Sequence, residues 1–133
     1  MTPITTEEDI EAGLKALIRL DPRLQEIAGT AGPIPLRRRV ADFEGLAQIV
    51  TGQQVSVASA AAIFARLQVL IAPLTAENLE TFTDEELAGA GLSRPKIRTL
   101  RALTEACGNG LDLAHLAQAP ADEAHRVLCD IKG

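Results

Sequence analysis

Aromatic residues are nearly absent from this 133-residue chain: Phe43, Phe64 and Phe82 are its three phenylalanines, and it has no tryptophan or tyrosine. A core must therefore be assembled from Ala, Leu, Ile and Val, a composition suited to closely packed helices. Cysteine is scarce too. Cys107 and Cys129 are far too few for a disulfide framework; reduced thiols at buried apolar positions are expected instead. No apolar run approaches the ~20 residues that a membrane span needs. The amino-terminal stretch MTPITTEEDIEAG is acidic, unlike a secretory signal or a basic transit peptide. These absences point to a cytoplasmic protein with no membrane partner. A basic excess is also lacking: 13 Lys and Arg stand against 18 Asp and Glu, a net charge of -5. That balance argues against indiscriminate binding to nucleic acid, because phosphate contacts need cations.

What is present is helical. Hydrophobic residues make up 47% of the chain, enough for a real core in one domain. Thr5 with Glu8 has the spacing of a capping box, and Ile10, Leu14, Leu17 and Ile18 follow one helical face. Asp21-Pro22 reads as the start of a short helix ending near Gly29. Residues 29–42 hold two prolines and two glycines spread through a loop. Asp42 caps FEGLAQIVTG, with Phe43, Leu46, Ala47 and Val50 inward. Ser56 caps an alanine-rich helix whose expected buried face is Val57, Ala60, Ala61, Phe64, Leu67 and Ile71. Thr83 with Glu86 forms a second capping box. Ser93 and Pro95 open KIRTLRALTEAC, with Ile97, Leu100 and Leu103 inward, and Gly108-Asn109-Gly110 ends it. ADEAHRVLCDI closes the chain with Ala124, Val127, Leu128 and Ile131 inward. The pattern predicts an all-α bundle of about seven short helices.

Two stretches carry a family resemblance. FEGLAQIVTGQQVSVASAAAIFARL (43–67) is an apolar helix ending in Gly-Gln-Gln-Val-Ser, followed by an alanine-rich helix with Arg-Leu near its end. GLSRPKIRTLRALTEA (91–106) follows, and then VLCDIKG (127–133). In this order they resemble the helix-hairpin-helix DNA glycosylases, most closely the DNA-3-methyladenine glycosylase II branch. The resemblance implies an incomplete helix-hairpin-helix fold whose last segment opens the hairpin. It implies base excision repair: a parent protein that flips an alkylated base of the 3-methyladenine type out of double-stranded DNA and hydrolyses its N-glycosidic bond. No redox cofactor and no metal are implied. The aspartate that stabilises the oxocarbenium-like sugar in that family lies beyond the hairpin and matches no residue here. Asp130 precedes the hairpin and is not its equivalent. The aromatic cage suited to a cationic base is missing as well. No catalytic residue is therefore assigned, and the 133 residues alone are expected to be inactive.

DNA-facing positions are expected at Gln53, Gln54, Ser56, Arg94, Lys96, Lys132 and Gly133. By resemblance Gln54 occupies the wedge position, entering the gap left by a flipped base; by chemistry alone it is an exposed loop glutamine. Gln53 reads as structural, its amide pairing loop backbone groups. Ser56 is a helix N-cap that also sits near free amides attractive to phosphate. Arg94 and Lys96, with Arg98 and Arg101, are either a phosphate-tracking surface or a solvated face. Lys132 and Gly133 read as the hairpin's beginning, or as a frayed end. His115, and His125 with Cys129 four residues on, supply too few ligands for zinc.

The chain stops directly after an apolar helix, so a truncated domain is expected. Uncovered apolar faces around Phe64 and around Val127, Leu128 and Ile131 would then drive self-association. The alternative is a non-enzymatic helical module that binds DNA or a protein.

Overall fold

The computed structural model describes residues 4–132, which form nine helices and no strand. The count exceeds about seven because the short helices that begin after Thr75 and Asp112, five and four residues long, stand as separate elements. The chain divides between Arg39 and Val40 into two compact units.

The first unit holds α1 (Glu7–Leu20) and α2 (Leu24–Ala31). The capping box of α1 uses Thr6 and Asp9 rather than Thr5 and Glu8. Two successive threonines each have an acid three residues on, so spacing alone could not choose between them. The Asp9 carboxylate accepts from the Thr5 and Thr6 amides at 2.8 and 3.0 Å. Those backbone bonds hold its pKa below the ordinary aspartate value. Asp21 does not cap α2. Its carboxylate is taken by the Arg23 guanidinium at 2.8 and 2.7 Å and by the Arg23 amide at 3.1 Å. The helix starts at Leu24 and runs past Gly29 to Ala31, where Gly32 turns the chain at φ 74°. Neither helix contains a buried residue. Ile10 and Leu14 are half-buried; with Gly32, Pro33, Ile34 and Pro35 they line a shallow cleft of about 440 Å³.

The second unit contains α3 (Phe43–Gly52), α4 (Val57–Leu70), α5 (Ala76–Glu80), α6 (Asp84–Gly89), α7 (Arg94–Gly108), α8 (Leu113–Leu116) and α9 (Ala121–Cys129). Its continuous core draws on α3 to α7 and their joints: Phe43, Ala47, Val50, Phe64, Leu67, Ile71, Leu74, Leu79, Leu87, Leu92, Ile97, Leu100 and Leu103 are all buried. Each leucine removed from water there contributes about 1.5–3 kcal/mol. Asp42, Ser56, Thr75 and Thr83 each accept a first-turn amide, so four successive helices are started by side-chain caps.

Two arginines tie the connections. Arg66 donates to the Ala90 carbonyl at 2.9 Å. Arg101 donates to the Leu79 and Phe82 carbonyls and to the Asp84 carboxylate. It thus satisfies the carbonyl end of α5 and pins the start of α6, and does not stand on an open basic face. Gly91 is required between α6 and α7. Its φ is 106°, and a Cβ there would lie 2.8 Å from Arg66 Nη2 and 3.1 Å from Ile63 Cγ1.

Several inward assignments change. On α4, Phe64 and Leu67 are buried and Ile71 follows them, but Val57 is 88% exposed and Ala61 is exposed. A buried stripe needs a neighbour along its whole length; in the second unit α4 has its main partner, α3, on one side. The expected bare face around Phe64 is therefore covered, and the exposed apolar surface lies on the other side of α4. On α9 no residue is buried: Ala124 and Val127 are half-buried and Leu128 is exposed, and Ile131 just beyond the helix is half-buried. Leu46 is half-buried. Cys107 is half-buried, and burial with the nearby Glu77 charge raises its pKa. Cys129 is exposed, its Sγ 3.6 Å from Nε2 of His125.

Candidate nucleic-acid interface

The loop between α3 and α4 is four residues long, Gln53 to Ser56, all exposed. Its shape follows from how the two helices end and begin. The Gln53 amide donates to the Val50 carbonyl at 3.2 Å, tightening the last turn of α3. Gln54 then takes φ 54°, the one non-glycine residue with a positive φ among those described. A left-handed conformation costs a side-chain-bearing residue about 1–2 kcal/mol. It reverses the chain at once, leaving Ser56 extended to cap α4. The Ser59 amide donates to Ser56 Oγ at 3.1 Å, and the Ser56 hydroxyl donates to Ser59 Oγ at 2.9 Å.

The side chains of Gln53 and Gln54 make no hydrogen bond among the described residues. The structural role expected of the Gln53 amide is thus filled by other groups. One of them is Lys96, whose ammonium donates to the Thr51 carbonyl at 2.7 Å. This bond joins the first turn of α7 to the last turn of α3. It sets the Gln53–Ser56 loop beside the start of α7.

That helix start is electropositive. Its first turn has no acid, Pro95 supplies no amide, and Ser93 makes no side-chain cap. Free first-turn amides and the helix dipole favour an anion there, and Arg94 and Arg98 add charge. Both arginines are exposed and line a shallow cleft of about 390 Å³ with Asp84, Glu85, Ala88 and Ile97. The surface is therefore basic at the helix end and mixed along its side.

Lys132 is elsewhere. It is exposed and lines a cleft with Val127, Ile131, Ala102, Glu105 and Ala106 of the carboxyl-terminal half of α7, and Asn109 just after it. Along α7 that is about 10 Å or more from the turn that carries Lys96, at 1.5 Å per residue. Gly133 lies outside the described residues. The structure thus brings Gln53, Gln54, Ser56 and Lys96 together, with Arg94 on the same helix start, and leaves Lys132 apart. The Lys96 contact to α3 was not legible in the sequence, since it spans 45 positions.

Aromatic stacking has no free partner here. Phe43 and Phe64 are buried and Phe82 packs against the core. Asp130 is an exposed residue ending α9. Among the described residues no group of three or more His, Cys, Asp or Glu could hold a metal, and no helix is long and apolar enough to cross a membrane.

An all-helical unit in which two capped helices present a Gly-Gln-Gln-Val-Ser turn has the fold of the helix-hairpin-helix DNA glycosylases. A solved DNA-3-methyladenine glycosidase from Bacillus halodurans is similar to this chain at a TM-score of 0.72 and 32% identity, over 90% of this chain and 57% of that one. The chain therefore spans somewhat more than half the length of that structure. No family model and no curated protein matches the sequence.

Proposed function

We propose that this chain is part of a DNA repair glycosylase domain. In this reading residues 1–133 make up its amino-terminal portion, reaching the first residues of the hairpin. The whole domain hydrolyses the N-glycosidic bond of alkylated bases of the 3-methyladenine type in double-stranded DNA. A cytoplasmic location goes with a cellular DNA substrate. The observation that carries the reading is the exposed Gln53-Gln54 turn beside an electropositive helix start, in a fold shared with a DNA-3-methyladenine glycosidase.

In this reading Gln54 enters the base stack where a nucleotide has been extruded. Its amide offers both a donor and acceptors to the bases it meets, and its free side chain has no competing bond to break. Ser56, Arg94 and Lys132 approach the phosphates. The hydrolytic step belongs to groups outside these residues: none of them matches the family's aspartate, and all three phenylalanines serve the core. The 133 residues alone therefore bind without cutting.

Fluorescence anisotropy with a duplex containing an abasic-site analogue tests the reading. Preference for that duplex over intact DNA is expected, with weaker binding at higher salt. Gln54→Ala should lose most of the preference and little of the binding to intact duplex. Equal affinity for both duplexes in the parent chain would remove the wedge assignment. Release of 3-methyladenine from alkylated DNA by the 133 residues alone would overturn the statement that the hydrolytic groups lie elsewhere.

A second reading, a helical module that binds a protein or a second copy, draws on the exposed apolar face of α4, where Val57 and Val69 are 88% and 85% exposed. Light scattering over a concentration series tests self-association, and a monomer throughout would remove it.

A further inference from the structure

Lys96 stands at the third position of α7, inside the first turn, where the helix dipole opposes a cation. A lysine gains nothing from its own helix there. Its gain comes from α3. The half-buried Lys96 side chain carries its ammonium to 2.7 Å from the Thr51 carbonyl, in the last turn of α3, where carbonyls lack amide partners and the dipole favours positive charge. No backbone amide beyond the helix donates to that carbonyl. Thr51 itself is fully buried, and its hydroxyl has no partner among the described residues. The carbonyl therefore depends on Lys96. Three residues further along is Gln54, in its left-handed conformation.

We infer that Lys96 is a positioning residue for the Gln53-Gln54 turn: its ammonium fixes the carbonyl end of α3, and with it the direction in which the chain leaves the helix and presents Gln54. This rests on the proposed role of Gln54 for its functional meaning, but not for its structural content. It also gives Lys96 a task different from its neighbour Arg94, since the ammonium faces the protein rather than a phosphate. An unmet carbonyl at that helix end would leave φ of Gln54 free to relax toward the ordinary negative range.

The test compares Lys96→Met, which keeps the length and apolar stem, with Lys96→Arg, which keeps the charge and donors. In the free protein, the amide–Hα coupling of Gln54 reports its φ. Lys96→Met should move that coupling to the value of negative φ and speed amide exchange at residues 53–56 by about tenfold or more. Amides of Leu100 and Leu103 should keep their protection, and Lys96→Arg should restore most of the parent behaviour. An unchanged Gln54 coupling in Lys96→Met would overturn the inference. A measurement on the unaltered chain keeps the test independent of variant folding. The Lys96 ammonium protons should exchange slowly and show cross-relaxation to Gly52; protons as labile as those of the exposed Lys15 would equally overturn it.

With DNA, a positioning lysine and a phosphate-binding lysine differ in salt dependence. Lys96→Met should leave the slope of log affinity against log salt unchanged, and Gln54→Ala should add nothing further to the loss of preference for the abasic duplex. A slope reduced by about one unit would identify a phosphate contact instead. If the parent chain shows no preference for the abasic duplex, the wedge reading fails while the coupling and exchange data still decide the role of Lys96.

Discussion

The first unit and the second use the same helical vocabulary to different effect. Both start a helix with a Thr capping box, at Thr6–Asp9 and at Thr83–Glu86. Both have helices with apolar positions at helical spacing. Yet α1 and α2 bury no residue, with Leu17 at 53% and Ile27 at 61% exposure, whereas Leu67, Leu79, Leu87 and Leu100 are fully sealed in the second unit. The difference lies in what stands opposite. A two-helix layer offers each apolar stripe one shallow partner, while α3 to α7 surround a common centre from several sides. An amphipathic pattern states which face seeks cover and says nothing of how much cover exists.

This comparison can be broken by paired substitutions. The largest contrast is expected for a core leucine against an exposed one. Leu100→Ala should cost about 2–5 kcal/mol, and Leu17→Ala about 0.5 kcal/mol or less, both read from urea denaturation. Similar losses would mean that the units are built alike. A smaller contrast is expected at glycines. Gly91→Ala places a methyl against Ile63 and Arg66 at positive φ and should cost about 1–3 kcal/mol. Gly13→Ala, in open space inside α1, should instead stabilise that helix by about 0.5–1 kcal/mol, seen as greater helicity by circular dichroism.

The caps give the smallest contrast. Thr83→Ala should lower the stability of the second unit by about 1 kcal/mol. Thr6→Ala should only speed amide exchange in the first turn of α1. Acid sharpens the same point. The Thr83 amide and hydroxyl hold the Glu86 carboxyl below its ordinary pKa. A depressed carboxylate contributes stability that is complete above the unfolded glutamate value, about 4.3. That contribution is lost as pH falls through the lower folded value. Stability measured between pH 6 and 3 should therefore decline more steeply in the parent chain than in Glu86→Gln. Parallel profiles would show that the cap's ionisation is not felt.

Much of the helix order was legible because the signals are local. Asp42, Ser56 and Thr83 cap the helices their spacing announced, and the glycines after α6 and α7 end them. Local ambiguity defeated the reading at Thr5 against Thr6, and at Asp21, whose carboxylate is held by the guanidinium and amide of Arg23 before α2 begins. Inward faces were less legible. Val57 and Ala61 fit a helical stripe with Phe64, but a stripe drawn on sequence spacing has no edge, and the α3 partner covers only part of it. In the candidate site, the exposed turn of Gln53 and Gln54 followed from two glutamines between a helix-ending glycine and a capping serine. The left-handed φ of Gln54 and the Lys96 bond to Thr51 did not.

What the sequence by itself determined is where helices begin and stop, because caps, prolines and glycines act through bonds a few residues long. It also determined the all-α class, because apolar residues recur at helical spacing and strand alternation is nearly absent. The tertiary structure decided which of the basic residues remain available to a partner. Arg101 and Lys96 have the same charge and helix as Arg94, yet one is consumed by the carbonyls of residues 79 and 82 and the other by that of residue 51. Those carbonyls are far away along the chain and close only once the helices pack, so no pattern in the sequence separates a structural cation from a binding one.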